Sequence, residues 1–148
     1  MTNPKIQPEL YPIAAIGERS KGTILDHLGI EITEIGEDFL CGKMPVDERH
    51  IQPAGILHGG ASVVLAETLG SMGTRLLLNT DSFVGVGLEV NANHLRPVAK
   101  GDTLYGRATL VHAGRSTHIW DIKMSNDAQK LCCISRLTVA IIPNPLAK

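Results

Sequence analysis

Only one stretch of this 148-residue chain reads as a long helix, and the rest must be arranged around it. Leu65, Leu69, Met72 and Leu76 recur at spacings of 4, 3 and 4, one stripe of a 3.6-residue period. The same segment carries Gly60, Ala61, Ser62, Ala66, Gly70, Ser71 and Gly73. Residues this small weaken a helix, yet they let backbone approach closely on more than one face. A sheet wrapped around the helix is the expected partner, rather than a flat one beneath it.

The remaining segments change to a period of two. Over residues 84–92, Val84, Val86, Leu88, Val90 and Ala92 are expected on one face, with Glu89, Asn91 and Asn93 on the other. Residues 103–113, 117–124 and 131–142 are further strand candidates. Ala113-Gly114-Arg115-Ser116 and Asn126-Asp127-Ala128-Gln129 join them as hairpin turns. Upstream, residues 29–35 and 39–46 read as another hairpin, and 47–55 as a loop broken by Pro53. The sum is an α+β domain with six antiparallel strands and one long helix. One helix cannot cover both faces of such a sheet, so the outer face or an edge strand is expected to meet a second subunit. Residues 1–22, with Pro4, Pro8 and Pro12, read as an arm or short helix ahead of a domain at 23–142, and 143–148 as a tail.

Composition removes whole classes of function. Hydrophobic residues make up 43% and the charges nearly balance (14 basic, 15 acidic), which excludes disorder. No apolar run approaches the ~18 residues of a membrane span, and the first 25 residues hold no signal-peptide core. Cys41, Cys132 and Cys133 lack a C-x-x-C spacing, so a zinc ribbon or disulfide scaffold is not expected and a reducing cytoplasm is. The charge is unevenly spread. Residues 1–93 hold 6 Lys/Arg against 12 Asp/Glu, and residues 94–148 hold 8 against 3. A basic last third suits an anionic partner, although a solvated basic face explains it too. Two Phe, two Tyr and one Trp are too few to stack nucleic-acid bases, so a small phosphorylated ligand is the better expectation.

No G-x-S-x-G elbow, phosphate-binding P-loop or H-E-x-x-H pair occurs. Gly85-Val86-Gly87 is half a dinucleotide fingerprint in a strand context, where glycines relieve curvature or admit a close approach. His112 and His118 flank a turn without a third ligand, so no metal is expected. The informative stretch runs from Gln52 through His58-Gly59-Gly60 to Glu67 and Ser71. Glu67 is the only ionisable residue between Gly60 and Thr74, and an apolar helix is expected to bury it. A salt bridge to Arg75 or to a strand residue is one explanation; a catalytic carboxylate is the other. Ser71 falls one turn beyond on the same face. The Gly59 amide opens the helix, where N–H groups lack partners and the dipole favours an oxyanion. His58 there either caps the helix or takes part in chemistry. Together the set describes acyl transfer from an activated carbonyl.

These residues resemble the hotdog-fold acyl-CoA thioesterases of the phenylacetate-degradation and Arthrobacter 4-hydroxybenzoyl-CoA type. The nearest likeness is to bacterial members acting on 1,4-dihydroxy-2-naphthoyl-CoA or proofreading enterobactin synthesis. The resemblance runs from about Asp26 to Ile142. It is carried by His27-Leu-Gly-Ile-Glu, Met44-Pro-Val-Asp, Gln52-Pro-x-Gly-x-Leu-His58-Gly-Gly, Leu65-Ala-Glu67-Thr-Leu-Gly-Ser71, Gly87-Leu-Glu-Val-Asn-Ala-Asn-His94-Leu-Arg96-Pro and Leu131-Cys-Cys-x-Ser-Arg-Leu-Thr. It implies Glu67 as nucleophile or general base and Gly59 as oxyanion donor. Gln52 and His58 would orient the thioester, and Ser71 would assist the carboxylate. It further implies that Gly87, His94 and Arg96, with His112, Gly114, Arg115 and Ser116, hold substrate and the CoA nucleotide. The site would span a homodimer, two dimers would pair, and no cofactor would be needed beyond the CoA of the substrate. A hotdog hydratase or dehydratase and a non-catalytic acyl-CoA-binding module are the rival readings. His58-Gly59-Gly60 favours the thioesterase over the first, and the complete set Gln52, His58, Glu67 and Ser71 over the second.

Overall fold

A computed structural model describes residues 4–147. A 3-10 turn at Pro8–Leu10 leads to helices α1 (Ile13–Ser20) and α2 (Ile24–His27), then to strands β1 (Glu31–Ile35) and β2 (Phe39–Pro45). The long helix α3 (Gly59–Leu77) follows, and then β3 (Phe83–His94), β4 (Thr103–Ala113), β5 (Thr117–Ser125) and β6 (Leu131–Pro143). The strands form one antiparallel sheet in the order β1-β2-β4-β5-β6-β3. The α+β reading therefore holds, and α3 packs against β2, β3, β4, β5 and β6 as the wrapped helix of a hotdog fold.

Small residues decide how close the helix comes. A Cβ placed on Gly73 would lie 2.5 Å from the buried Trp120 ring, and one on Gly70 would lie 2.6 Å from a Leu137 methyl. Trp120 thus fills the notch between two helical glycines, and its Nε1–H donates to Thr74 Oγ1 at 2.9 Å. On the other flank, Leu69 reaches Gly42 of β2 and Gly106 of β4, where an added Cβ would lie 2.8 Å from its methyls. Leu65, Leu69, Trp120 and Leu137 are fully buried.

The strict alternation expected over residues 84–92 is wrong for β3. The β3–β6 register shifts between Gly87 and Glu89, which marks a bulge at Leu88. Before it, Gly85 and Gly87 face the helix, because a Cβ there would lie 2.8 Å from Thr74 or from the Glu67 carboxylate. Val86 and Leu88 are left 46% and 65% exposed. Beyond the bulge, Val90 and Ala92 pack against the core. A similar shift in β1 lets both Ile32 and Ile35 turn inward.

Segments near both ends of the described residues join the domain. Ile6 is only 2% exposed and its N–H donates to the Glu37 carbonyl at 2.7 Å, so the N-terminal arm completes the core. At the other end the Asn144 N–H donates to Ser82 O and its side-chain amide to Thr80 O, both at 2.9 Å. Among the described residues no helix is long and apolar enough to cross a membrane.

The Trp120 notch can be tested by filling it. Gly73→Ala adds helix propensity but drives a methyl into a ring that cannot retreat, so a net loss of about 1–2 kcal/mol is expected in urea unfolding. In a Trp120→Leu background, where that ring is gone, the same change becomes neutral or stabilising. A second test concerns His118, which is buried beside Thr74 with Nδ1 3.3 Å from Oγ1. Burial first, and the charge of His112 second, hold its pKa below the ordinary 6.5. Above 6.5 its contribution to stability is fully present; as pH falls, the unfolded chain takes up the proton first and stability is lost through the folded pKa. Stability of the wild type measured across this range should fall more steeply than that of His118→Asn. Equal slopes would contradict the assignment.

Candidate active site

The loop before α3 is built to present the start of that helix. His50 is 1% exposed, with Nε2 2.8 Å from the Leu28 carbonyl and Nδ1 3.0 Å from the Asp47 carboxylate. Hydrogen bonds from Arg49 hold Asp47 far below the usual carboxylate range. The His50 carbonyl in turn accepts the His58 N–H at 2.8 Å. His58 then caps the helix, its Nδ1 accepting from the Gly60 N–H at 2.8 Å. That bond places the ring proton on Nε2, which leaves His58 one ring N–H free to donate.

The Gly59 N–H has no hydrogen-bond partner among the described residues. It stands at the positive end of a 19-residue helix. A Cβ on Gly59 would lie 2.7 Å from His94 Nε2, so the glycine permits the imidazole to sit against the helix start. Gln52 is oriented by its own turn: its Oε1 accepts the Ala54 N–H at 2.7 Å, which leaves the amide hydrogens to donate elsewhere. Gln52, Gly59, His94 and Arg96 line one cavity of about 520 Å³. Arg96 is anchored there by donation from Nη1 to the Leu131 carbonyl at 2.7 Å.

Glu67 is placed differently from the sequence expectation. Its side chain is exposed in the single chain, and it has neither an ion pair with Arg75 nor any hydrogen bond among the described residues. Ser71 lines the same cleft without bonding to it. The physical reason is β3: the strand is an edge, and Gly87 offers no side chain to cover the carboxylate lying over it. Glu67 and Ser71 open into a cleft of about 870 Å³ with apolar walls that include Ile24, Val64, Met72, Phe83 and Leu146.

The expected residues therefore form separate groups within one chain. Gly59 and Glu67 are eight residues apart on one helix, about 12 Å along its axis. His112, Gly114, Arg115 and Ser116 lie at the β4–β5 turn, where the Ile141 N–H donates to Ser116 O at 2.9 Å. His94 pairs with Cys133 and Thr117 with Ala140, so the turn and His94 stand at opposite ends of β6, about 23 Å apart. Sequence reasoning misses His50, which sits in a loop without periodicity to mark it as buried. Among the described residues no group of three or more His, Cys, Asp or Glu is arranged to hold a metal ion.

Comparison with known proteins gives this arrangement its context. Residues 54–133 match the family model of the thioesterase superfamily. The chain is 44% identical to the proofreading thioesterase EntH of Cronobacter turicensis over 88% of its length and 93% of the relative's. It is 42% identical to the 1,4-dihydroxy-2-naphthoyl-CoA hydrolase of Escherichia coli over 88% of its length and 94% of the relative's. The crystal structure of a mutant form of thioesterase PA1618 from Pseudomonas aeruginosa superposes with a TM-score of 0.87 at 47% identity, covering 89% of this chain and 94% of that one. An exposed helix carboxylate, an unpaired amide at the start of the same helix and these likenesses agree: the chain belongs to the thioesterase superfamily.

Proposed function

We propose that this enzyme hydrolyses acyl-CoA thioesters, with aromatic acyl groups preferred, at sites built by two copies of the chain. The observation that carries this reading is the spacing on α3. An oxyanion donor and a carboxylate about 12 Å apart along one axis cannot act on the same carbonyl. A second copy brings them together if it adds to the free edge of β3, whose Val86 and Leu88 are exposed. Glu67 of one subunit then meets Gly59, Gln52 and His94 of the partner subunit. Exposed Tyr105, Val111 and Ile134 elsewhere on the sheet support a further pairing of two dimers.

In the proposed site the thioester oxygen accepts hydrogen bonds from the Gly59 N–H and the Gln52 amide. Glu67 attacks the carbonyl carbon, or takes a proton from the water that does. The carbon–sulfur bond breaks, the acyl group gains the hydroxyl of water, and the CoA sulfur leaves as a thiol with the remaining proton. Ser71, on the same wall as Glu67, supplies a hydroxyl to the carboxylate. The CoA phosphates are assigned to Arg96 of one subunit and to His112, Gly114, Arg115 and Ser116 of the other. The separation of about 23 Å between the two groups in a single chain supports this division.

The test is thiol release from benzoyl-CoA. Glu67→Gln preserves shape but removes nucleophile and base, so kcat should fall at least ~10²-fold with the melting temperature unchanged. Turnover of Glu67→Gln near the wild-type rate would refute the role, and no thiol release by the wild type from any acyl-CoA would refute the activity.

A further inference from the structure

We propose that Arg75 reads the far end of the acyl group and selects acids bearing a second carboxylate remote from the thioester. This deepens the thioesterase reading and rests on it. The cleft that contains Glu67 continues along α3 past Ser71 and Met72 to Arg75. A second cleft, of about 640 Å³ between α3 and the N-terminal arm, shares Leu25, Met72, Arg75 and Thr80 with the first. Arg75 thus stands where the two spaces meet.

Its guanidinium is the one cation among the described residues that borders the Glu67 cleft. Elsewhere Lys5, Lys21, Lys43, Arg49, Lys100 and Arg136 each pair with a carboxylate. Arg107 lies over the Phe39 ring, and Arg96 bonds a backbone carbonyl. Arg19, which lines the second cleft, and Arg115, Lys123 and Lys130 share with Arg75 the lack of an ion pair or side-chain hydrogen bond among the described residues. The Arg75 side chain has no ion pair or hydrogen bond among the described residues, although the cleft beside it has apolar walls. Arg75 is exposed, and a cation in the last helical turn favours the helix dipole; what sets it apart is that it is the one cation lining the cleft that holds Glu67.

The distance suits an aromatic acid. Arg75 follows Glu67 by eight residues, about 12 Å along the axis, and helical side chains lean back toward the N-terminus. One ring, with a hydrogen-bond distance at each end, fills that span. A thioester at Glu67 then places a ring substituent at the guanidinium, whose planar fork binds a carboxylate in bidentate fashion. Met72 and Phe83 line the cleft, as do Thr80 and Asn144, whose side-chain amide donates to the Thr80 carbonyl.

The experiment compares 4-carboxybenzoyl-CoA with benzoyl-CoA in the wild type, Arg75→Met and Arg75→Lys. Arg75→Met keeps the aliphatic stem and should lower kcat/KM for the carboxylated substrate ~5- to 20-fold, while benzoyl-CoA changes less than about twofold. Arg75→Lys, retaining charge without the fork, should fall between. The same ratio is read without turnover by calorimetric binding of the two thioether analogues, which cannot be hydrolysed, so a failure of the thioesterase reading stays distinguishable. An unchanged ratio would overturn the proposal. So would an equal loss for both substrates, which would place Arg75 on the CoA portion.

Discussion

The seat of Trp120 between Gly70 and Gly73 fixes the geometry on which the rest of the molecule depends. An indole of this size buried against a helix excludes water from a large area, and its N–H finds Thr74 rather than remaining unsatisfied. That contact sets both the depth and the rotation of α3 within the sheet. Leu69 is then lodged between Gly42 and Gly106, and Glu67 is turned over Gly87 at the sheet edge. The carboxylate is therefore exposed because the helix is held firmly, with the one strand beside it reduced to glycine.

That placement has a functional consequence. A carboxylate needs a desolvated, oriented carbonyl to act on, and one chain supplies these at a different point along the helix. The start of α3 offers an unpaired amide, a capping His58 and an oriented Gln52, all held by the loop that His50 fastens to Leu28. In the proposed assignment the start and the middle of the helix each carry half of a site. In the proposed dimer a two-fold axis brings unlike halves together twice, so one arrangement produces two equivalent centres. Val86 and Leu88 are exposed because they point away from the helix, on the outer face of the sheet beside the free β3 edge where the proposed pairing forms.

Much of this is legible in the sequence because local periodicity and tertiary burial agree. The stripe Leu65, Leu69, Met72 and Leu76 locates α3, and the alternating segments locate the strands to within a few residues. What is not legible depends on contacts between distant segments. The bulge at Leu88 follows the segment where Gly85 and Gly87 pass close to Thr74 and Glu67 of the helix, and no pattern within residues 84–92 records that approach. The exposure of Glu67 escapes the sequence for a related reason: an apolar helix implies burial, but the covering strand has no side chain at Gly87. Ile6 falls in a segment that reads as an arm or short helix, and its burial is not legible there because a single apolar residue among prolines has no period. The residues of the candidate site are identifiable as types, whereas their division into separated groups requires the fold.

The central claim is that each site takes its carboxylate from one chain and its oxyanion donor from another, and mixed assemblies test it directly. Gly59→Pro removes the amide hydrogen at the first helical position, where proline is tolerated and the extended His58 backbone already suits a following proline. The exposed His94 ring can swing aside for the added carbons. Neither Glu67→Gln nor Gly59→Pro should be active alone. Co-expressed as mixed oligomers with random pairing, about half the dimers carry one intact site of two, so activity should recover to about one quarter of wild type. Recovery on mixing would support the two-chain site. Mixed oligomers, verified by mass spectrometry, that stay as inactive as either parent would contradict it.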